Sequence, residues 1–225
     1  MIRAVTLDLD DTLWPFAPVA RRIRDALDAF LAEHAPRTAA RYEQAAVDEA
    51  LAAVRAQRDV AAHDIGALRR AVLGHLLEAA GEDPELADPA FEAIYAARQR
   101  VELYPDAAAG LDRLAARVPL LAITNGNADL ELTGVARWFT GCVAAHDVGV
   151  AKPHPAVFES ACERLGLRPE EILHAGDDLE TDVGGALVAG LQSVWVRREL
   201  SGVAPAGAHT VADLTALAEL VERDG

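Results

Sequence analysis

Apolar and polar positions alternate in two different textures along the chain. Residues 2–7 form a short apolar run (Ile2, Ala4, Val5, Leu7) with the length and composition of a buried strand. From Pro18 to Leu103 the period changes to that of helices. Val19, Ile23, Leu27 and Phe30 share one face, as do Val47, Leu51 and Val54, then Leu68, Val72 and Leu76, then Phe91, Ile94 and Tyr95. Breaks at Pro36, near Gly66 and over 81–84 divide this stretch into roughly four helices. After Tyr104 short apolar runs return: Val118 to Ile123, a weaker one from Gly141 to Ala145, Ile172 to Ala175, and Ser193 to Val196. Helical stretches separate them. One opens at Pro105 and Asp106, where Asp106 is the expected N-cap or first-turn anion. Another spans Pro155 to Leu165 and stops at Gly166, and a third runs from Thr181 to Ala189. Strands alternating with helices predict an α/β fold built on a doubly wound parallel sheet. The expected division is a core of residues 1–16 plus 104–225, interrupted by a helical insert over 17–103.

Composition narrows the classes. The 225 residues are 52% hydrophobic and 25% charged, enough for a substantial core. A net charge of −15 argues against general nucleic-acid binding, which needs a clustered basic face. It leaves room for a small anionic substrate held locally by a lysine and a metal. Cys142 and Cys162 stand twenty positions apart without a CxxC or a Cys/His cluster, so zinc and disulfide frameworks are not expected. Asp8 interrupts the first apolar run before it could serve as a signal peptide, and no run approaches the length of a membrane span. The expectation is a cytoplasmic protein without membrane or nucleic-acid partners.

The chemistry collects at the strand ends. The first run ends in Asp8, Asp10 and Asp11; the second in Thr124 and Asn125; the fourth in Asp177 and Asp178. In a doubly wound sheet the carboxyl ends of the strands line the ligand crevice, so these distant residues converge there. Lys152, followed by Pro153, adds a cation from a loop. A nucleophilic carboxylate, a second acid two residues on, a hydroxyl, a lysine and a metal-binding acid together suit phosphoryl transfer through an aspartyl phosphate. A hard cation such as Mg²⁺ fits an all-oxygen site and offsets the repulsion between carboxylate and phosphoryl group. Asp11 is expected to be exposed or to form a turn.

The motifs DLDDT (Asp8 to Thr12), ITNG (Ile123 to Gly126), AKP (Ala151 to Pro153) and HAGDDLETD (His174 to Asp182) occur in this order. In this the chain resembles the haloacid dehalogenase superfamily, phosphatase branch, across essentially its whole length. The resemblance implies a Rossmann-like core with an inserted α-helical cap that closes over a small phosphorylated metabolite. It implies Asp8 as nucleophile and Asp10 as general acid/base. It gives Thr124, the backbone near Asn125 and Lys152 to the phosphate, and Asp8, the Asp10 carbonyl and Asp177 to Mg²⁺. Asp178 and Asp182 would support that shell or orient Lys152, unless they cap the following helix. LLAITNGNA and ILHAGDDLETDVGGAL look closest to bacterial phosphatases acting on flavin mononucleotide. For these, Trp14, Phe16 and Tyr95 are candidate aromatic contacts by position and type.

Three alternatives share the resemblance. A 2-haloacid dehalogenase uses the same fold and nucleophile but needs no acid at position 10, because halide leaves unprotonated. A sugar-phosphate mutase uses the same residues, and an inactive binding module would be expected to lack one of them. Among the histidines, His174 reads as a satisfied core residue, and His146 and His154 as exposed.

Overall fold

The structure, a computed structural model, describes residues 1–57, 63–198 and 202–224. It divides into two compact units, residues 1–16 with 101–225, and residues 17–100.

The first unit opens on β1 (Ala4–Leu7), buried along its whole length. The second unit follows. It comprises α1 (Phe16–His34, entered from the first unit), α2 (Pro36–Ala39), α3 (Gln44–Gln57), α4 (Ile65–Ala79) and α5 (Ala87–Arg98). Its apolar faces close on each other in two groups: Leu27, Leu31, Leu73, Leu77, Phe91 and Ile94, and Ala50, Val54, Val72 and Leu76. Leu27, Val54, Val72, Leu76, Phe91 and Ile94 are periodic positions of the sequence, Leu31, Ala50, Leu73 and Leu77 widen those faces, and short α2 begins at Pro36. Asp64 caps α4 by accepting from the Ala67 N–H at 2.8 Å.

The first unit resumes with α6 (Ala107–Ala115), β2 (Leu120–Thr124), β3 (Cys142–Ala144), α7 (Ala145–Val148), α8 (Pro155–Leu165), β4 (Ile172–Gly176), α9 (Gly185–Val188), β5 (Gln192–Val196), β6 (Ala208–Val211) and α10 (Leu214–Asp224). Where the insertion leaves and re-enters, the Tyr104 N–H donates to the Leu13 carbonyl at 2.9 Å. The six strands lie in the order β3-β2-β1-β4-β5-β6, and every pair is parallel. Chain direction across the sheet therefore reverses between β1 and β4, and ligands of doubly wound folds bind at such a switch point. Phe158, Val157 and Ala161 of α8 pack with Ile123, Val143 and Ile172 on one face of the sheet.

Three local expectations change. Asp106 occupies the N-cap position of α6, but its side chain makes no capping bond there. Its carboxylate accepts from Arg198 at 2.6 Å and from the Leu214 N–H at 2.9 Å, so it ties the start of α10 to the loop after β5. The stretch after Asp178 is not one helix: Leu179–Gly184 forms a wide π turn before α9. Beyond the predicted strands come β6 and α10. β6 is short and half exposed, so it lacks an apolar signature. α10 does carry one, with Leu214, Leu217, Ala218 and Val221 all buried. It approaches α6 so closely that a Cβ on Gly110 would lie 2.5 Å from the Leu214 Cβ. No described helix is long and apolar enough to cross a membrane.

Candidate active site

Asp8 follows β1 directly, its N–H donating to the Ala175 carbonyl of β4 at 3.0 Å. The chain then turns tightly. Asp11 adopts φ +57°, its N–H donates to the Trp14 carbonyl, and its carboxylate accepts from the Phe16 N–H at 2.8 Å. Asp11 is thus an exposed turn former. This turn buries Trp14 completely and lets its indole N–H donate to Asp10 Oδ1 at 2.7 Å. Thr12, also buried, donates its hydroxyl to Asp177 Oδ1 at 2.9 Å and so joins the ends of β1 and β4.

Lys152 is the hub. Its ammonium is almost wholly buried and lies 2.6 Å from Asp8 Oδ1, 2.6 Å from Asp182 Oδ1 and 3.1 Å from the Ile123 carbonyl. Three donors meet three acceptors, so its hydrogen-bonding capacity is used in full. Asn125 holds the loop in place: its amide donates to the Lys152 carbonyl at 3.0 Å and accepts from the Lys152 N–H at 2.7 Å. The Asn125 side chain therefore grips the lysine's backbone. Thr124 ends β2 as a buried residue whose Oγ1 accepts from the Gly126 N–H at 2.9 Å, folding the following backbone around the strand end.

Asp182 is delivered by the π turn, a device found often at functional sites. Both Asp182 N–H and Val183 N–H donate to the Asp178 carbonyl at 3.1 Å. The Asp178 carboxylate, itself exposed, caps this turn by accepting from Glu180 N–H and Thr181 N–H. Its N–H donates to Asp182 Oδ2 at 3.1 Å. Asp178 therefore serves through its backbone and its cap. Asp182 Oδ1 also faces His174 Nε2 at 3.3 Å, and Nδ1 of the same ring lies 2.8 Å from Thr6 Oγ1. Space for the Asp182 carboxylate exists because residue 176 is glycine: a Cβ there would lie 2.3 Å from Asp182 Cγ.

The charges do not balance. Burial raises the Asp8 carboxyl well above the usual range, although Lys152 opposes this. Burial also pushes Asp177 up to about 6, helped by the negative Asp182. Burial would raise Asp182 too, but Lys152 and His174 overcome it and hold this carboxyl low. Burial works against the Lys152 charge as well, yet Asp182 and Asp8 raise its pKa above that of a free lysine. His174 is driven toward its neutral form by burial. Among the described residues, three carboxylates with oxygens within 4.8 Å of one another thus face a single cation, Lys152. Asp182 is committed on both oxygens, which leaves Asp8 and Asp177 in excess. That all-oxygen cluster, with more carboxylates than cations, fits a hard divalent cation.

Of the sequence-predicted residues, Asp8, Lys152, Asp177 and Asp182 meet here, with Thr124 and Asn125 at the adjoining strand end. His146 and His154 are both exposed, as expected, and His154 also caps α8 by accepting from the Ala156 N–H. Thr12 and His174 complete the cluster without having been assigned a role from sequence. Their signal was positional. Thr12 continues the two-residue spacing of Asp8 and Asp10, and His174 is a polar residue inside an apolar strand.

Known proteins resemble this chain over nearly all of it. It is 35% identical over 202 residues to the 5-amino-6-(5-phospho-D-ribitylamino)uracil phosphatase YigB of Escherichia coli (strain K12), covering 88% of this chain and 84% of that one. A phosphoserine phosphatase of Thermus thermophilus is 34% identical over 224 residues, covering 88% and 90%. The crystal structure of a 2-haloacid dehalogenase from Pseudomonas syringae pv. tomato DC3000 superimposes with a TM-score of 0.94 at 35% identity, covering all of both chains. The profile of haloacid dehalogenase-like hydrolases matches residues 2–190. With its motifs gathered at the switch point of a parallel sheet, the chain belongs to the haloacid dehalogenase-like hydrolase family.

Proposed function

We propose that this protein is a Mg²⁺-dependent phosphomonoesterase acting on a small phosphorylated metabolite. The observation that carries the reading is the buried Lys152 ammonium, 2.6 Å from both Asp8 and Asp182, with a second acid two residues beyond Asp8. Lys152 takes Oδ1 of Asp8, so Oδ2 is the oxygen that attacks phosphorus. The alcohol oxygen leaves as the phosphorus–oxygen bond breaks, taking a proton from Asp10. Water then attacks the phosphorus of the aspartyl phosphate, Asp10 accepts its proton, and Asp8 and inorganic phosphate are released. Thr124 and the backbone near Asn125 hold the phosphoryl oxygens, and Lys152, whose three N–H groups are already engaged, stabilises them through its charge. Asp8, the Asp10 carbonyl and Asp177 are the residues that would hold Mg²⁺. When bound, the ion offsets the repulsion between the carboxylate and the phosphoryl group. The helical stretch 17–103 is assigned the selection of substrate.

For the substrate we favour a primary phosphate on a ribityl chain attached to a heteroaromatic ring, with flavin mononucleotide as the specific candidate. Support comes from the similarity to YigB, whose named substrate carries such a phosphoribityl chain. Trp14 is not a stacking surface for that ring, because it is fully buried and its indole is spent on Asp10. Half-buried Phe16 and Tyr95 remain, the latter stacked on Phe91 at 5.9 Å. A second reading, hydrolytic dehalogenation, is favoured by the fit to the Pseudomonas syringae dehalogenase. Asp10 speaks against it, since a departing halide needs no proton.

The test is release of phosphate from a panel holding flavin mononucleotide, nucleotides, sugar phosphates and phosphoglycolate, beside release of chloride from 2-chloropropionate. Phosphate release that stops with a chelator and with Asp8→Asn is expected. Chloride release without added metal would replace this reading with the second one. Flavin mononucleotide turned over no faster than sugar phosphates would remove the substrate assignment alone.

A further inference from the structure

We propose that His174 is a positioning residue, whose Nε2–H donates to Asp182 Oδ1 and holds that carboxylate against Lys152, with Thr6 setting the tautomer of the ring. The proposal rests on the phosphatase reading above for its catalytic consequence, and on hydrogen-bond geometry for the rest.

Thr6 and His174 are direct neighbours in the register of β1 and β4, and both are completely buried. Their side chains meet at 2.8 Å, Thr6 Oγ1 to His174 Nδ1. The other ring nitrogen lies 3.3 Å from a carboxylate oxygen that already accepts from Lys152. A neutral imidazole carries one N–H, and which nitrogen bears it is set by what each one faces. A proton on Nδ1 would point the Nε2 lone pair at an anionic oxygen. A proton on Nε2 satisfies the carboxylate and lets the Thr6 hydroxyl donate to Nδ1. A doubly protonated ring would place a second buried cation beside Lys152. The Nε2–H tautomer is the one that satisfies every partner. Phe158 closes the ring off from solvent, edge-on at 5.2 Å.

The consequence reaches the reacting atoms through two contacts. The Lys152 ammonium is balanced between Asp182 and Asp8 at equal distances of 2.6 Å. If the Asp182 carboxylate turns away, the lysine settles on Asp8, quenching the nucleophile and withdrawing a positive charge from the phosphoryl oxygens. His174 and the Asp178 N–H are the donors that prevent this rotation, one on each carboxylate oxygen.

The experiment uses the full chain with Mg²⁺ and p-nitrophenyl phosphate, comparing His174→Leu, His174→Gln and Thr6→Val, each with its thermal midpoint. Separately, the imidazole ¹⁵N resonances of the wild type report the tautomer. His174→Leu keeps bulk but loses both nitrogens, and is expected to lower kcat about 10–100-fold, the range for loss of an outer-layer partner. His174→Gln restores an N–H near the Nε2 position and should recover most of that loss. Thr6→Val should lower kcat by less than His174→Leu does. The wild-type spectrum should show a protonated Nε2 and a bare Nδ1. A packing role predicts otherwise: a lowered midpoint with wild-type kcat in His174→Leu, or no rescue in an equally folded His174→Gln, and either result overturns the proposal. A proton on Nδ1 overturns it too, without reference to activity. If His174→Leu does not fold, Thr6→Val with wild-type kcat is the overturning result. Should the wild type release no phosphate from any ester while Nε2 is protonated, the phosphatase reading fails and the hydrogen-bonded arrangement of the ring stands.

Discussion

Replacing Gly176 with Ala tests the packing of the site with the smallest available change. Gly176 ends β4 outside the left-handed region, so alanine strains nothing in the backbone. The added Cβ would lie 2.3 Å from Asp182 Cγ and 2.4 Å from its Oδ2, where ordinary contact begins at 3.4 Å. The carboxylate must therefore retreat by about 1 Å, taking ordinary separations as roughly 3.5 Å. The bond from Asp178 N–H to Oδ2, at 3.1 Å, does not survive such a shift. Loss of a hydrogen bond to a charged group costs about 1.5–3 kcal/mol. Partial unpairing of the buried Lys152–Asp182 contact moves the total toward the ~3–5 kcal/mol of a broken buried pair. A loss of about 2–4 kcal/mol lowers the thermal midpoint of a chain this size by roughly 5–15 °C. Calorimetry on Gly176→Ala measures this, and phosphate release by the same sample should fall at least about tenfold. A midpoint within about 2 °C of wild type, together with wild-type turnover, would refute the claim that Asp182 is held by shape.

Three further outcomes follow from features outside that contact. Asp106 is held below the usual carboxylate range: burial opposes this, but Arg198 and the Leu214 N–H outweigh it. Its contribution is therefore present above the ordinary carboxylate pKa and lost as pH falls through the lowered value. Asp106→Asn should cost of order 1–2 kcal/mol near pH 7, and denaturant titrations should show that gap closing below about pH 4. Burial, with Asp147 nearby, pushes the Cys142 thiol up to about 11. Iodoacetamide at pH 8 should then label it roughly a hundredfold more slowly in the folded protein than after unfolding; equal rates would contradict its burial. Gly74 lies inside α4 with its nearest prospective neighbour at 3.9 Å, so Gly74→Ala should raise stability by up to about 1 kcal/mol. A lower thermal midpoint would show that the helix needs the glycine.

Much of this was legible in the sequence because the signals were local. Apolar runs marked the strands β1 to β5, and the 3.6-residue period marked the helices of the insertion. The acids stood out because charges at the ends of apolar strands are costly unless paired. What escaped depends on contacts between distant segments. β6 is an edge strand with exposed alternate positions, so it has no apolar run to announce it. Asp106 looks like a cap for the helix beside it, yet it serves a helix more than a hundred residues away. The π turn has no periodicity of its own, and its purpose appears only once Asp182 is seen against Lys152. Thr12, Trp14 and His174 were ordinary residue types until Asp177, Asp10 and Asp182 appeared beside their polar atoms.

The bond from Tyr104 N–H to the Leu13 carbonyl bears on how this chain can change over evolutionary time. It pins together the two points where the polypeptide departs from and rejoins the sheet-bearing unit, so residues 17–100 form a closed polymer loop anchored at a fixed gap. The entropy of closing such a loop grows only with the logarithm of its length, and doubling it costs about 0.6 kcal/mol. The sheet and its acids are thus nearly indifferent to how much chain is strung between the two anchors. Helices can be gained, lost or exchanged there like a cassette while the reaction edge keeps its stability. If the insertion selects the substrate, as proposed, selection can rewrite which molecule is recognised without renegotiating the chemistry.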